Sequence, residues 1–406
     1  MKKRACFISL VIGLMCVSSF GQIESQWRGP LRDGIYPEKD LLKEWPKDGP
    51  ELLWTAEDLG DGYSSPSVTS GRVYVTGMEG GRGYLFSLAL DGRLLWKAAY
   101  GPEWNGSSPG ARTTPTVVGE RIYLMSALGG AVCFDLEGKI IWEVDLRKIF
   151  GARNIEWGMT ESPLVDGSKV FFTPGGRTAL IVALDRITGE TVWKTQGHGE
   201  KSGYCSPCLV KHGNLKLLLT MTSQSIVGLD AETGELLWTR KHITEYEVNA
   251  NTPLYHNGYV YTNSGYGTGG QMFKLSEDGK TIENVWTQRS PDSQMGAVIL
   301  VDGYIYGSGH NQRGWHCVDW NTGKVQYSAR SVRSKGSLIF ADAMLYYYRE
   351  IGDLLLVRPN SEEFENLGSI RINKGSGEHW AHPVIKDGRL YVRHGDALMV
   401  YNVAKK

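Results

Sequence analysis

The chain has no excess of either charge, with 44 lysines and arginines against 44 aspartates and glutamates in 406 residues. It carries no basic tract that would follow a phosphate backbone, so nucleic acid is not an expected partner. Long apolar runs are missing too. The most sustained one, Ala5 to Val17, is too short to span a bilayer. The 9 histidines include no H-E-x-x-H and no clustered metal-ligand spacing. Cysteine is scarce, and there is neither a C-x-x-C-H for haem attachment nor an adjacent cysteine pair.

What is present begins with a leader. Lys2, Lys3 and Arg4 precede the apolar run, and Ser19-Phe20-Gly21 supplies small residues where a signal peptidase reads. Cleavage is expected after Gly21, which makes the protein periplasmic or secreted, with no transmembrane segment. Cys16 is a poor lipid-anchor site because Met15 stands before it where a small residue is needed.

Past the leader the chain repeats itself. "ALDRITGETVW" (183–193) matches "GLDAETGELLW" (228–238), and "SLALDGRLLW" (87–96), "CFDLEGKIIW" (133–142) and "CVDWNTGKVQY" (317–327) follow the same plan. Each aspartate can accept backbone N–H groups two or three residues on, and each glycine can take the positive φ of a tight hairpin. The aromatic that follows (Trp96, Trp142, Trp193, Trp238, Trp286, Tyr327) recurs at a fixed offset, which marks it as packing between neighbouring units.

Upstream of each aspartate stands a second signature, for example "SPSVTSGRVYVTG" (65–77), "TPTVVGERIYLMS" (114–126) and "HPVIKDGRLYVRHG" (382–395). Eight such units, built on a plan of four short strands, predict an all-β, eight-bladed β-propeller. The eighth unit stops before its outer strand, whereas "PELLWTA" (50–56) precedes the first unit and carries Trp54 at the docking position. The N-terminal strand is therefore expected to complete the last blade. The expected organisation is a leader over 1–21, a lead-in segment over 22–49 and the propeller over 50–406. Cys133 and Cys317 fall at equivalent strand positions. Cys205 and Cys208 are three extended steps apart, roughly 10 Å, beyond the roughly 7 Å Cα limit for a disulfide; only a turn at Ser206-Pro207 would let them pair.

The Leu-Asp-x-x-Thr-Gly-x-x-x-Trp spacing in 184–193 and 229–238 resembles the docking motif of the quinoprotein-like propellers, the repeat family named after pyrroloquinoline quinone (PQQ). "WRGPLRDGIYPEKDLLKEWPKDGPELLW" (27–54) with "GYSSPSV" (62–68) is similar to the opening of a short secreted subgroup labelled alcohol or polyvinyl-alcohol dehydrogenase-like. The resemblance implies PQQ held with Ca²⁺ by a glutamate and an asparagine, beside a catalytic aspartate and a tryptophan platform. The matching residue types are Glu161 and Asn251 for calcium, Asp292 for the base, and Trp157 or Trp380 for the platform.

Strand order places the connections entering the inner strands on one face, which forms the channel mouth. The expected ligand-binding ring is Tyr63, Arg112, Glu161, Tyr204, Asn251, Gln294, Lys335, and His379 with Trp380. Aromatic, cationic and amide groups together suit a small polar, flat or anionic molecule. The function expected is a monomeric, exported propeller that binds such a molecule or an exported protein partner at the mouth. A PQQ- and calcium-dependent alcohol oxidoreductase is the alternative, and carbohydrate recognition or modification a further one.

Overall fold

The structure is a computed structural model that describes residues 23–296 and 298–405; the expected leader lies outside the described residues. Eight sheets form the blades of a propeller. In chain order the innermost strands are Ser67–Val68, Thr116–Val118, Leu164–Asp166, Cys208–His212, Leu254–His256, Val298–Val301, Gly336–Ala341 and Val384–Lys386. The first seven each begin a four-strand antiparallel meander and the eighth a three-strand one, burying β-branched and aromatic side chains on both faces of the middle strands. The last blade takes its outer strand from Glu51–Ala56, antiparallel to Ala397–Asn402. The first and last parts of the propeller are thus woven into one sheet, and no unpaired edge is left there.

The repeated aspartate and aromatic work together across blade boundaries. Asp185 Oδ1 accepts from the backbone of Ile187 at 2.8 Å and of Thr188 at 2.9 Å, and Asp230 repeats this with Glu232 and Thr233. Onto that turn the previous blade lays its tryptophan. Trp193 Nε1 donates to the Ala231 carbonyl at 3.3 Å, and a β-carbon on Gly234 would stand 2.5 Å from Trp193 Cε3. Trp54, Trp96, Trp142 and Trp286 lie in the same way on Gly92, Gly138, Gly189 and Gly323. The turn glycine is therefore required twice, for its positive φ and for the indole face above it.

Two junctions depart from the pattern. The Tyr327 hydroxyl accepts from Trp315 Nε1 inside its own blade at 3.1 Å. The next outer strand, Glu365–Arg371, has no aromatic, and Trp45 of the lead-in segment packs against its Gly368 instead.

A second seam runs nearer the axis. The Ser65 N–H donates to Thr114 Oγ1, that of Thr114 to Ser162 Oγ, and that of Ser162 to Ser206 Oγ, at 2.9 to 3.0 Å. These residues each precede a proline at the start of an inner strand. They bind the first four blades hydroxyl to amide.

The lead-in segment enters the channel. Ile23–Ser25 pairs antiparallel with the inner strand of blade 2, and Ile35–Tyr36 pairs parallel with that of blade 7. Between them Arg32, 1% exposed, donates to the carbonyls of Ser162, Pro163 and Pro207 from blades 3 and 4. Arg28, fully buried, donates to the Val298 carbonyl of blade 6 at 2.9 Å. The centre of the ring is filled by this strap.

Candidate functional site

At the mouth of the channel lies a cavity of about 400 Å³. Tyr63, Arg112, Tyr204, Gln294 and Trp380 all line it, from blades 1, 2, 4, 6 and 8. In an eight-bladed ring blade 1 stands opposite blade 5, and blade 8 opposite blade 4. Tyr63 and Trp380, packed at 4.9 Å between ring centroids, therefore face Tyr204 and Tyr266 across the axis. Trp157 adjoins Tyr204 at 6.2 Å, and Trp27 of the strap also lines the cavity. The result is a slot with aromatic walls, the kind of surface on which a flat ring stacks.

The remaining expected residues sit elsewhere, and the reason is register. Counting back from the proline that opens each inner strand, the third residue lines the cavity: Tyr63, Arg112, Thr160, Tyr204, Ala250 and Trp380. Glu161, Asn251 and His379 are one position off. Alternation along an extended chain turns a side chain to the other face at each step, so Glu161 and Asn251 point away from the lining and are 0% and 1% exposed. His379 stacks on His394 at 3.7 Å and meets the Tyr348 hydroxyl at 2.5 Å. Lys335 lies just outside the lining, where its Nζ donates to Gln294 Oε1 at 2.5 Å and pairs with Glu350 at 3.4 Å. Gln294 in turn donates to the Tyr266 hydroxyl at 2.7 Å, which holds that wall upright.

Asp292 is fully buried, and its carboxylate accepts four backbone N–H groups, from Gly267, His310, Asn311 and Gln312, at 2.8 to 3.0 Å. Both oxygens are thereby committed to ordering two rim loops, which is a loop-organising role rather than that of a base free to take a proton. Trp27, Thr160, Tyr266 and His382 were missed from the sequence, although the proline register would have found Thr160. The string Gly106-Ser107-Ser108-Pro109-Gly110 has the G-x-S-x-G form, and Ser107 and Ser108 line the cavity. The strand-to-helix turn that makes a nucleophile elbow is absent: this loop runs between two strands.

The electrostatics favour negative charge. The lining contains no aspartate or glutamate. Arg112 is held over the Tyr63 ring at 5.4 Å and donates to the Ser108 carbonyl at 2.7 Å, while its buried Nε has no partner. Burial pulls its pKa below the usual guanidinium value. Among the described residues no carboxylate forms an ion pair with it. The acid that influences it, Glu103, is itself pushed up to about 7 by burial.

The donors for calcium fit that ion poorly. Glu161 Oε1 and Asn251 Oδ1 are buried without hydrogen-bond partners, as hard ligands would be. The fixed charge acting on Glu161, however, is the Arg32 guanidinium, which opposes a second cation beside it. The four described cysteines are free and buried, and Cys205 and Cys208 direct their thiols to the carbonyls of Asn251 and Pro253.

Comparison with known proteins gives the same frame. The sequence model of the family described as outer membrane protein assembly factor BamB matches residues 38–173 and 88–329. The outer membrane protein assembly factor BamB of Kangiella koreensis is 30% identical over 213 residues, 51% of this chain and 49% of that protein. The quinoprotein alcohol dehydrogenase PedH of Pseudomonas putida is 28% identical over 200 residues, 47% of this chain and 28% of that protein. The matched stretch spans half or less of these curated relatives. The crystal structure of BamB from Moraxella catarrhalis superposes with a TM-score of 0.62 at 15% identity, covering 86% of this chain and 97% of that one. A quinohemoprotein alcohol dehydrogenase from Comamonas testosteroni superposes at 0.65 with 14% identity, covering 93% and 79%. At these identities the structures share the fold.

Proposed function

Because the chain belongs to the PQQ-like repeat family described as outer membrane protein assembly factor BamB, we propose that it is an exported propeller whose work is done at the channel mouth, where it binds a small ring-shaped anion. The observation that carries this is the slot itself: aromatic walls from opposite blades, an arginine with no acidic partner among the described residues, and no carboxylate in the lining. A ring stacks between Tyr63 with Trp380 on one side and Tyr204 with Tyr266 on the other. Its anionic group meets Arg112, and its hydroxyls meet Ser107, Thr160 and Gln294. An unpaired, partly desolvated guanidinium gains most from a charged acceptor. Aromatic acids and acidic sugars share this chemistry.

Export rests on the leader expected over residues 1–21. Among the described residues no helix is long and apolar enough to cross a membrane.

Calorimetric titration with benzoate, benzamide, D-glucuronate and D-glucose tests the reading. The two anions should bind and their neutral counterparts bind at least roughly tenfold more weakly, about 1.4 kcal/mol. Equal binding of charged and neutral members, or no binding at all, would sink it. A family named for assembly factors makes a protein partner the competing occupant, and a partner that binds equally well to Arg112→Ala protein would support that instead.

A further inference from the structure

The cavity has a floor that does not come from the propeller repeats. Trp27 lines it from the strap, its ring 5.5 Å from that of His382 in an edge-on contact. Directly after it stands Arg28, whose Cζ lies 5.5 Å from the Trp27 ring and whose side chain is fully buried. Arg28 donates through Nη2 to the Val298 and Asp33 carbonyls, but its Nε and Nη1 are buried without partners. Asp33 spends its carboxylate on the Ile35 N–H at 2.9 Å and makes no ion pair with Arg28. His382, its Nε2 2.7 Å from the Met295 carbonyl, leaves a buried Nδ1 unmatched. A buried cation and a neutral imidazole acceptor, each incompletely matched, therefore lie at the strap's contact with the cavity.

We propose that the strap is part of the binding site: Trp27 positions the ring from below, and anion binding and the seating of residues 23–36 stabilise each other. The inference rests on the anion-binding reading above and goes beyond it, because it assigns the lead-in segment a role that blade chemistry alone would not require.

The physical argument is reciprocity. A guanidinium taken out of water is costly to bury, and Asp33 offsets that cost only through space, without an ion pair. An anion above Trp27 lowers that cost while the strap is seated, and by linkage the seated strap raises affinity for the anion by the same factor. Arg32 holds the strap through three inner-strand carbonyls and does not depend on the ligand. The segment is therefore anchored at Arg32 and tuned at Arg28.

The experiment uses the full secreted protein, with benzoate and D-glucuronate as probes. Amide exchange of peptides covering 23–36 should slow by roughly tenfold when the cavity is saturated, the exchange factor equalling the coupling constant. Trp27→Ala should weaken probe binding by roughly tenfold, and Trp27→Phe should restore most of it. Arg28→Gln should still bind the probe yet lose the slowed exchange.

Unchanged exchange in 23–36 under a bound anion overturns the proposal, and so does wild-type affinity in Trp27→Ala. If Trp27→Ala does not fold, the Phe variant and the exchange measurement on wild type decide alone. Failure of the wild-type protein to bind either probe overturns the anion reading itself, and this inference with it.

Discussion

Trp54 donates its indole N–H to the Leu90 carbonyl at 3.0 Å, and its ring covers Gly92. The strand that closes the last blade therefore also docks onto the first, by the contact that Trp96, Trp142, Trp193 and Trp286 make at theirs. Deleting residues 22–55 removes this strand together with the strap. The truncated protein should be insoluble or should unfold without a sharp transition, because the edge of the Ala397–Asn402 strand is exposed. A truncated protein that melts as sharply as the full chain would refute the closure.

The docking tryptophans predict a second outcome. Trp193→Ala and Trp238→Ala should each destabilise by about 3–5 kcal/mol in denaturant titrations. Gly234→Ala should destabilise as well, since the added methyl meets Trp193 at 2.5 Å and the backbone there has φ 75°. Losses under about 1 kcal/mol at both tryptophans would mean that the rings do not bear on the neighbouring turn.

The two faces should separate binding from stability. Arg112→Ala should abolish preference for anions with little loss in melting temperature, because the guanidinium is desolvated without an ion pair and its removal relieves that cost. Asp185→Ala, on the opposite face, removes an acceptor for two backbone N–H groups and should lower stability while leaving binding intact. Parallel changes in both variants would mean that the faces are not independent.

A pH measurement tests Glu161. Burial raises its pKa from 4.5 to about 8, so the folded protein holds a proton there that the unfolded chain has released. Its contribution to stability is complete below about 4.5 and disappears as pH rises through about 8. Glu161→Gln keeps the shape and removes the titration, so its melting temperature should rise relative to wild type between pH 5 and 8.5. His382 works in the other direction. Burial depresses its pKa to about 3, so its contribution is present above 6.5 and is lost progressively as pH falls from there through about 3. A constant difference between Glu161→Gln and wild type across that range would show that the carboxyl is not held neutral.

The quinone alternative is tested by dye reduction. Wild-type protein incubated with PQQ and Ca²⁺ should give no alcohol-dependent dye reduction, because Asp292 is committed to four amides and Arg32 stands as the fixed cation acting on Glu161. Turnover that disappears in Glu161→Gln would reverse that conclusion.

Much of this architecture is legible in the sequence because it repeats. Asp185 and Trp193 recur at fixed offsets, and each recurrence confirms the others. Tyr63, Arg112, Tyr204 and Trp380 follow from strand order alone. Glu161 and Asn251 did not, because their blades were read one residue out of step with the proline register, and one step along an extended chain exchanges lining for interior. Trp27 was not readable by any such rule. It sits in a segment that matches no repeat and whose strand partners, Val118 for Ile23 and Phe340 for Ile35, come from blades far apart in the chain.

The strand that closes the ring also sets the order of assembly. Glu51 and Asn402 are 351 residues apart, so the stretch that emerges early in synthesis finds its partner only when almost the entire chain is available. Until then the blades form an open array with both ends unpaired, and the strap has no complete channel to occupy. Such distant pairing slows folding far more than it weakens the finished molecule. Maturation is therefore a timed event: a protein halted before its final forty residues would have its early blades and its strap, but neither the closed ring nor the pocket that the strap underlies.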